Sequence, residues 1–263
     1  MTRRLSILIL LAFASTAGAS GVEWKKLAAY SGVAASGNNP YAAFSPTAVW
    51  YPSKTLNNVD VAANAFSPTN TPHVSVDTNG WYFDGNFTYE PFLDFGYPAG
   101  LEMGTNDYTI SAWVRPTLVN TIAGIAGKTV YGAADRWGVY INSSKYPTCI
   151  LQDGFTSGGA AGSAIETNVW THVAATFSRP SNAVVYVNGA AVASNSIAAI
   201  PGAVTYDGGV TAPFRIGTYN NAAGVPFNSA YSFFGWMDLV AVWNGRALSA
   251  AEISALSALG RTP

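Results

Sequence analysis

Charge is scarce in this chain: Asp, Glu, Lys and Arg make up 10% of its 263 residues and leave a formal net charge of -1. An ordinary globular domain carries about a quarter. With no basic stripe, the class of nucleic-acid binders is set aside. Cysteine is scarcer still. Cys149 stands alone, so no intramolecular disulfide framework exists. It lies in the strand-like run Pro147-Thr148-Cys149-Ile150-Leu151 and reads as a buried, inert thiol. Histidine occurs twice, at His73 and His172. Beyond the first twenty residues no apolar run is long enough to span a bilayer, so the mature chain is expected to have no membrane span.

What is plentiful points one way. Gly (26), Pro (14) and an aromatic share of 13% suit many short strands joined by tight turns. A hydrophobic share of 49% is ample for a core. The N-terminus reads as an export signal: Arg3 and Arg4, the apolar run Leu5 to Ala14, then the small-residue site Ala17-Gly18-Ala19. We therefore read 1–19 as a signal peptide and 20–78 as an arm with the first strands. Residues 79–263 are read as the sandwich proper, forming one domain with 20–78. A protein of this design is secreted, or held at the cell surface or in the periplasm.

Strand signals become regular from Trp81. Trp81-Tyr82-Phe83 ends at the turn set Asp84-Gly85-Asn86. In Tyr108–Arg115 the residues Tyr108, Ile110, Ala112 and Val114 share one face, and Pro116 is expected to stop the strand. Trp137–Ile141 and Thr148–Leu151 follow, then Trp170–Phe177 with Val173, Ala175 and Phe177 facing the core. Ala183–Val187 runs into Asn188-Gly189, a hairpin signal because both turn residues need positive φ. Phe214–Gly217 and Phe234–Trp243 complete the set, with Ala48–Tyr51 and His73–Val76 as short strands before them. Ser249-Ala250-Ala251-Glu252 is a capping box, and Ile253, Leu256 and Leu259 form one apolar stripe behind it. This is the single convincing helix.

These pieces, in this order, resemble the laminin-G-like jelly rolls of the concanavalin A-like lectin/glucanase superfamily. Phe83-Asp84-Gly85, Tyr108 to Pro116, Trp170-Thr171-His172, Tyr186-Val187-Asn188-Gly189, Phe214-Arg215-Ile216-Gly217 and Gly235 to Ile253 each look like one of its motifs. The resemblance implies an all-β fold: a two-sheet antiparallel jelly-roll β-sandwich with one short C-terminal helix. It also implies ligand binding on a sheet face or at its rim. Retaining glucanases of the superfamily carry E-x-D-x-x-E on one strand. No E-x-D occurs here, and Glu23, Glu90, Glu102, Glu166 and Glu252 are scattered, so no catalytic residues are assigned and the chain is read as no enzyme. His172 sits at the family's structural "W-x-H" position.

Candidate binding residues follow from chemistry. Sugars need rings for their C–H faces and planar polar groups for their hydroxyls. Tyr131, Asp135, Arg136 and Trp137 offer that mixture in one stretch, and Tyr219, Asn220 and Asn221 in another. For metal, Asp84, Asn86 and Asp238 are the oxygen donors at family-matching positions. They suit a structural calcium clip, completed by carbonyls and water, or side-chain turns without metal. The expected function is an exported, non-catalytic binding or adhesion module for a glycan or other extracellular polymer. The alternative is a structural subunit of a self-assembling surface, filament or virion, with homo-oligomer contacts through the sandwich. A glycoside hydrolase comes third.

Overall fold

The period-two alternation of the sequence builds two antiparallel sheets that bury their apolar faces against each other. The computed structural model describes residues 39–52, 62, 66–69, 73–84, 90–119, 122–129, 135–153, 157–204, 212–219 and 231–261. The export signal and most of the N-terminal arm lie outside the described residues. The first sheet has eight strands. In spatial order they are β12 (Ala190–Ser196), β11 (Asn182–Val187), β10 (Thr171–Ser178), β5 (Tyr108–Leu118), β14 (Phe234–Asn244), β3 (Gly80–Phe83) and β2 (Val74–Asp77), with β1 (Ala48–Trp50) also on β14. The second sheet has six: β4 (Leu93–Asp94), β13 (Arg215–Ile216), β6 (Ala123–Lys128), β7 (Asp135–Ile141), β8 (Pro147–Asp153) and β9 (Ser157–Ala161).

Aromatic side chains fill the space between the layers. Trp50 packs on Phe95 at 4.8 Å and Phe214 at 6.2 Å between ring centres. Phe214 meets Trp137 at 5.9 Å, and Trp137 meets Tyr108 at 4.6 Å. The chain of rings thus links strands of both sheets. Polar tips are satisfied: Trp50 Nε1 donates to the Phe66 carbonyl at 3.0 Å and Tyr108 Oη to the Leu101 carbonyl at 3.1 Å. Cys149 is buried in this interior, where loss of water pushes its thiol pKa up to about 12. That suits the inert role expected of it.

The outer face of the first sheet is also apolar. The helix α1 (Ala250–Leu259) lies over it. Ser249 accepts from the Glu252 amide while the Glu252 carboxylate accepts from the Ser249 amide, so the capping box is formed as expected. Ile253 and Leu256 are buried against Val49, Ala174, Tyr186, Ala241 and Trp243, strand residues that point away from the main core. β14 follows this double burial through a bulge. Its register with β5 slips between Asp238 and Ala241, with Leu239 at φ 47°. Past that slip β14 exchanges one edge partner for another, pairing β3 through Gly235–Met237 and β1 through Val240–Val242.

One sequence expectation is corrected, and four strands were not anticipated. Pro116 does not end its strand: β5 runs on to Leu118. β10 pairs β5 only from Val114 back to Tyr108, so Pro116 faces no ladder on that side and its missing N–H breaks no bond there. Four strands carry no clear alternation in the sequence. Three of them, β6 (AGIAGK), β9 (SGGAA) and β12 (AAVASNS), are Gly-, Ala- and Ser-rich. The fourth, β4, is two residues long. Their pairing, not their side chains, defines them.

Replacing Trp50 with Ala removes the ring that contacts both layers. It is expected to cost about 3–5 kcal/mol, read as a lower urea midpoint with the far-UV signature of the sheets retained.

Candidate functional site

α1 lies on the outer face of the first sheet, and the candidate Arg136 stands on the outer face of the second. Along β7, Trp137, Val139 and Ile141 are buried inward, so Arg136, Gly138 and Tyr140 face out. Along β8, Cys149 and Leu151 point inward, leaving Ile150 and Gln152 outside. Register sets Arg136 opposite Gln152, and Tyr140 between Thr148 and Gly124. Gly124 is a glycine for a steric reason. A Cβ there would lie 2.2 Å from the Thr218 carbonyl carbon and 2.7 Å from the Tyr219 nitrogen. The chain leaving β13 crosses the sheet at this point.

That crossing delivers a tyrosine to the face. Tyr219 stands edge-on to Tyr140 at 5.4 Å, and Arg136 Nη1 donates to its hydroxyl at 3.1 Å. The Tyr219 amide donates to the Tyr231 carbonyl at 3.1 Å, and Tyr231's ring lies 6.5 Å from that of Tyr219. Three phenols and a guanidinium are therefore grouped over β6 and β7. Burial raises the Tyr140 phenol pKa, with the Arg136 charge opposing. Around them Arg136 Nε, Gln152 Oε1, Thr218 Oγ1 and Ser232 Oγ are buried with no hydrogen-bond partner. Such groups are uncommon and each invites an explanation.

The candidates read from sequence separate here. Arg136 and Tyr219 come together. Trp137, on the same strand, does not join them: it is 1% exposed in the core and is removed from the binding set. Tyr219 is itself only 2% exposed, so it is a support beneath the face and not an open platform. Asp135 begins β7 opposite Asp153. Tyr131, Asn220 and Asn221 lie outside the described residues. Tyr140, Gln152 and Tyr231 were not anticipated. Tyr140 was accessible to alternation, since a core Trp137 places Arg136 and Tyr140 on the opposite face. Gln152 is found only through strand register.

The calcium donors do not converge. Asp238 Cβ sits 3.1 Å from where a Gly80 Cβ would be, and Asp84 lies four residues on, just past the end of β3, about 13 Å away at strand rise. Asp238 is buried and accepts from Arg261 Nε at 3.3 Å, while Asp84 faces His73 Nδ1 at 3.5 Å. Asn86 is outside the described residues. As placed, Asp84 and Asp238 do not fit a shared cation. Among the described residues no three His, Cys, Asp or Glu side chains group closely enough to hold a metal ion. The acidic side chains serve other contacts: Glu102 pairs with Lys128, Asp94 with Arg215 and Glu252 with Arg246.

A family model described as concanavalin A-like lectin/glucanases, of laminin G type, matches residues 94–254. The chain belongs to this superfamily. No curated protein matches the sequence. Among solved structures, the binding domain of Paraclostridial Mosquitocidal Protein 1 is similar at 16% identity and TM-score 0.63, over 81% of this chain and 52% of that one. The botulinum neurotoxin serotype G binding domain is similar at 16% and 0.60, over 81% and 50%. Domain 4 of AbnA, an extracellular arabinanase from Geobacillus stearothermophilus solved with arabinotriose, is similar at 18% and 0.59, over 81% and 98%. The chain therefore spans about half the length of the two toxin domains and nearly all of the arabinanase domain. At these identities the shared property is the fold.

Membership gives His172 its context. It lies under the α1 side of the first sheet, fully buried, with Nε2 2.8 Å from Ser111 Oγ and its ring 5.4 Å from Trp113. Burial lowers its pKa to about 3 from the ordinary 6.5. The folded state therefore keeps it neutral where the unfolded chain would take up a proton. Its stabilising contribution is complete above pH 6.5 and is lost as pH falls from there toward 3. The slope approaches ~1.4 kcal/mol per pH unit. Between pH 7 and pH 4.5 the native chain should lose about 2 kcal/mol more stability than a His172→Gln variant, measured by urea unfolding. Equal losses would show that His172 titrates normally.

Proposed function

We propose that this chain is a non-catalytic binding module that holds carbohydrate on the outer face of its second sheet, as an exported protein acting at a surface. The observation that carries this is the grouping of Tyr140, Tyr219 and Tyr231 beside Arg136 and Gln152, two side chains with hydrogen-bonding capacity left over. Rings that accept sugar C–H faces, next to planar donors and acceptors, are what a glycan needs. Tyr140, Tyr231, Arg136 and Gln152 are half-buried and remain open to solvent. The other aromatic row on the surface is less suited. Tyr82 and Arg115 flank Trp236 from the neighbouring strands, at 4.5 Å and 5.0 Å, so this indole is already engaged on both sides. Use of the same fold as a binding domain in the toxins, and with arabinotriose in the arabinanase, supports the reading. So does the absence of an E-x-D pair from the sequence. Among the described residues no helix is long and apolar enough to cross a membrane, which is compatible with export.

Affinity electrophoresis over a polysaccharide panel tests it. A retained polysaccharide should lose about tenfold in affinity, ~1.4 kcal/mol, on Tyr140→Ala. Gly124→Ala should lose at least as much, because its Cβ would displace the Thr218–Tyr219 backbone. Trp236→Ala on the first sheet should leave retention unchanged. Retention lost with Trp236→Ala and kept with Tyr140→Ala would move the site to the other sheet.

A further inference from the structure

We infer that the sugar bound at this face carries a carboxylate, with Arg136 as its receptor; the inference rests on the carbohydrate reading above and names the ligand's chemistry. Among the described arginines Arg115, Arg136 and Arg179 have no ion pair, and Arg136 alone joins that to a buried, unpartnered Nε and a single hydroxyl acceptor. Arg215, Arg246 and Arg261 each pair with a carboxylate, on Asp94, Glu252 and Asp238. Arg179 is held by the carbonyls of Gly104, Ile200 and Gly202, and Arg115 by the Asn168 carbonyl and the Trp236 ring. Arg136 has one neutral acceptor, the Tyr219 hydroxyl, and no ion pair with any described acidic residue. A half-buried cation without a counter-charge is an unfavourable arrangement that an incoming anion relieves. Its unpartnered Nε–H belongs to a planar fork whose geometry matches a carboxylate.

The neighbouring groups fit the rest of a sugar. Gln152, directly across the strand pair from Arg136, is half-buried and its Oε1 has no partner, so it has an acceptor to offer a ring hydroxyl. Tyr140 and Tyr231 offer ring surface around Tyr219, whose hydroxyl Arg136 holds. The count of charge selects among anions. One cation among the described residues here, in a chain of net charge -1 with no basic stripe, matches a singly charged group. A sulfated or phosphorylated polymer would call for several basic residues together.

The test uses the whole chain and calorimetric titration. The probes are oligosaccharides of galacturonate, glucuronate and mannuronate, each beside its neutral methyl ester, with a sulfated oligosaccharide for comparison. At least one acid form should bind about tenfold or more tightly than its ester at low salt, with the difference shrinking as salt rises. Arg136→Gln should bring acid and ester to equal affinity. Arg136→Lys, which keeps the charge and the bulk of the stem, should retain part of the preference and so guards against a folding defect. Acid and ester binding alike, or a neutral glycan alone being retained, would overturn the carboxylate while leaving the carbohydrate reading standing. Tighter binding of the sulfated probe would overturn it in favour of a sulfate. Retention of no glycan of any kind would overturn both.

Discussion

The fold depends on strand β14 being apolar on both of its faces. Met237, Val240 and Val242 point into the interior between the sheets, and Leu239, Ala241 and Trp243 point out beneath α1. A strand buried twice gains twice the area from leaving water, and it fixes what lies on either side. The Leu239 bulge makes the double burial possible, because it turns Asp238 and Leu239 toward the same side and restores the alternation after them. β5, β3 and β1 pair with this strand, and α1 needs its outer surface.

The proposed binding face follows from the same geometry. The helix and the segment Tyr41 to Phe44 close much of the first sheet's outer face. Part of the second sheet's outer face is left to polar and aromatic side chains. The crossing of Thr218 and Tyr219 over Gly124 sets a buried tyrosine beneath this face, and Arg136 reaches across to it. Unsatisfied polar atoms gather where this crossing meets β7 and β8. The other described arginines have found carboxylates or carbonyls, whereas Arg136 has only the Tyr219 hydroxyl.

Much of the fold was legible because long strands with bulky residues alternate cleanly. β5, β7, β8, β10, β11 and β14 all lie where alternation placed them, and the capping box at Ser249 marked the helix start. β6, β9 and β12 were not legible. Runs such as AGIAGK and SGGAA bury little side chain, and they are strands because neighbours offer them backbone partners. The site was half legible. Arg136 and Tyr219 were named from residue chemistry, and the structure joins them by a hydrogen bond. Trp137 was named with them but alternates to the other face. Asp84 and Asp238 were paired by motif, yet strand register holds them apart.

Sequence alone determined the class of architecture, the direction of its apolar faces, the C-terminal helix with its cap, and the lack of a disulfide framework. Each of these follows from local spacing or composition, which a one-dimensional chain carries in full. Tertiary structure alone decided which residues share a surface. Tyr140, Gln152 and Tyr231 stand on separate strands or loops, 12 and 79 positions apart along the chain (152 − 140 and 231 − 152). Register across β7 and β8 sets Gln152 against Arg136, and one backbone crossing over a glycine brings Tyr219 between Arg136, Tyr140 and Tyr231. Contacts of that kind are set by which strand lies beside which, and no local pattern encodes that choice.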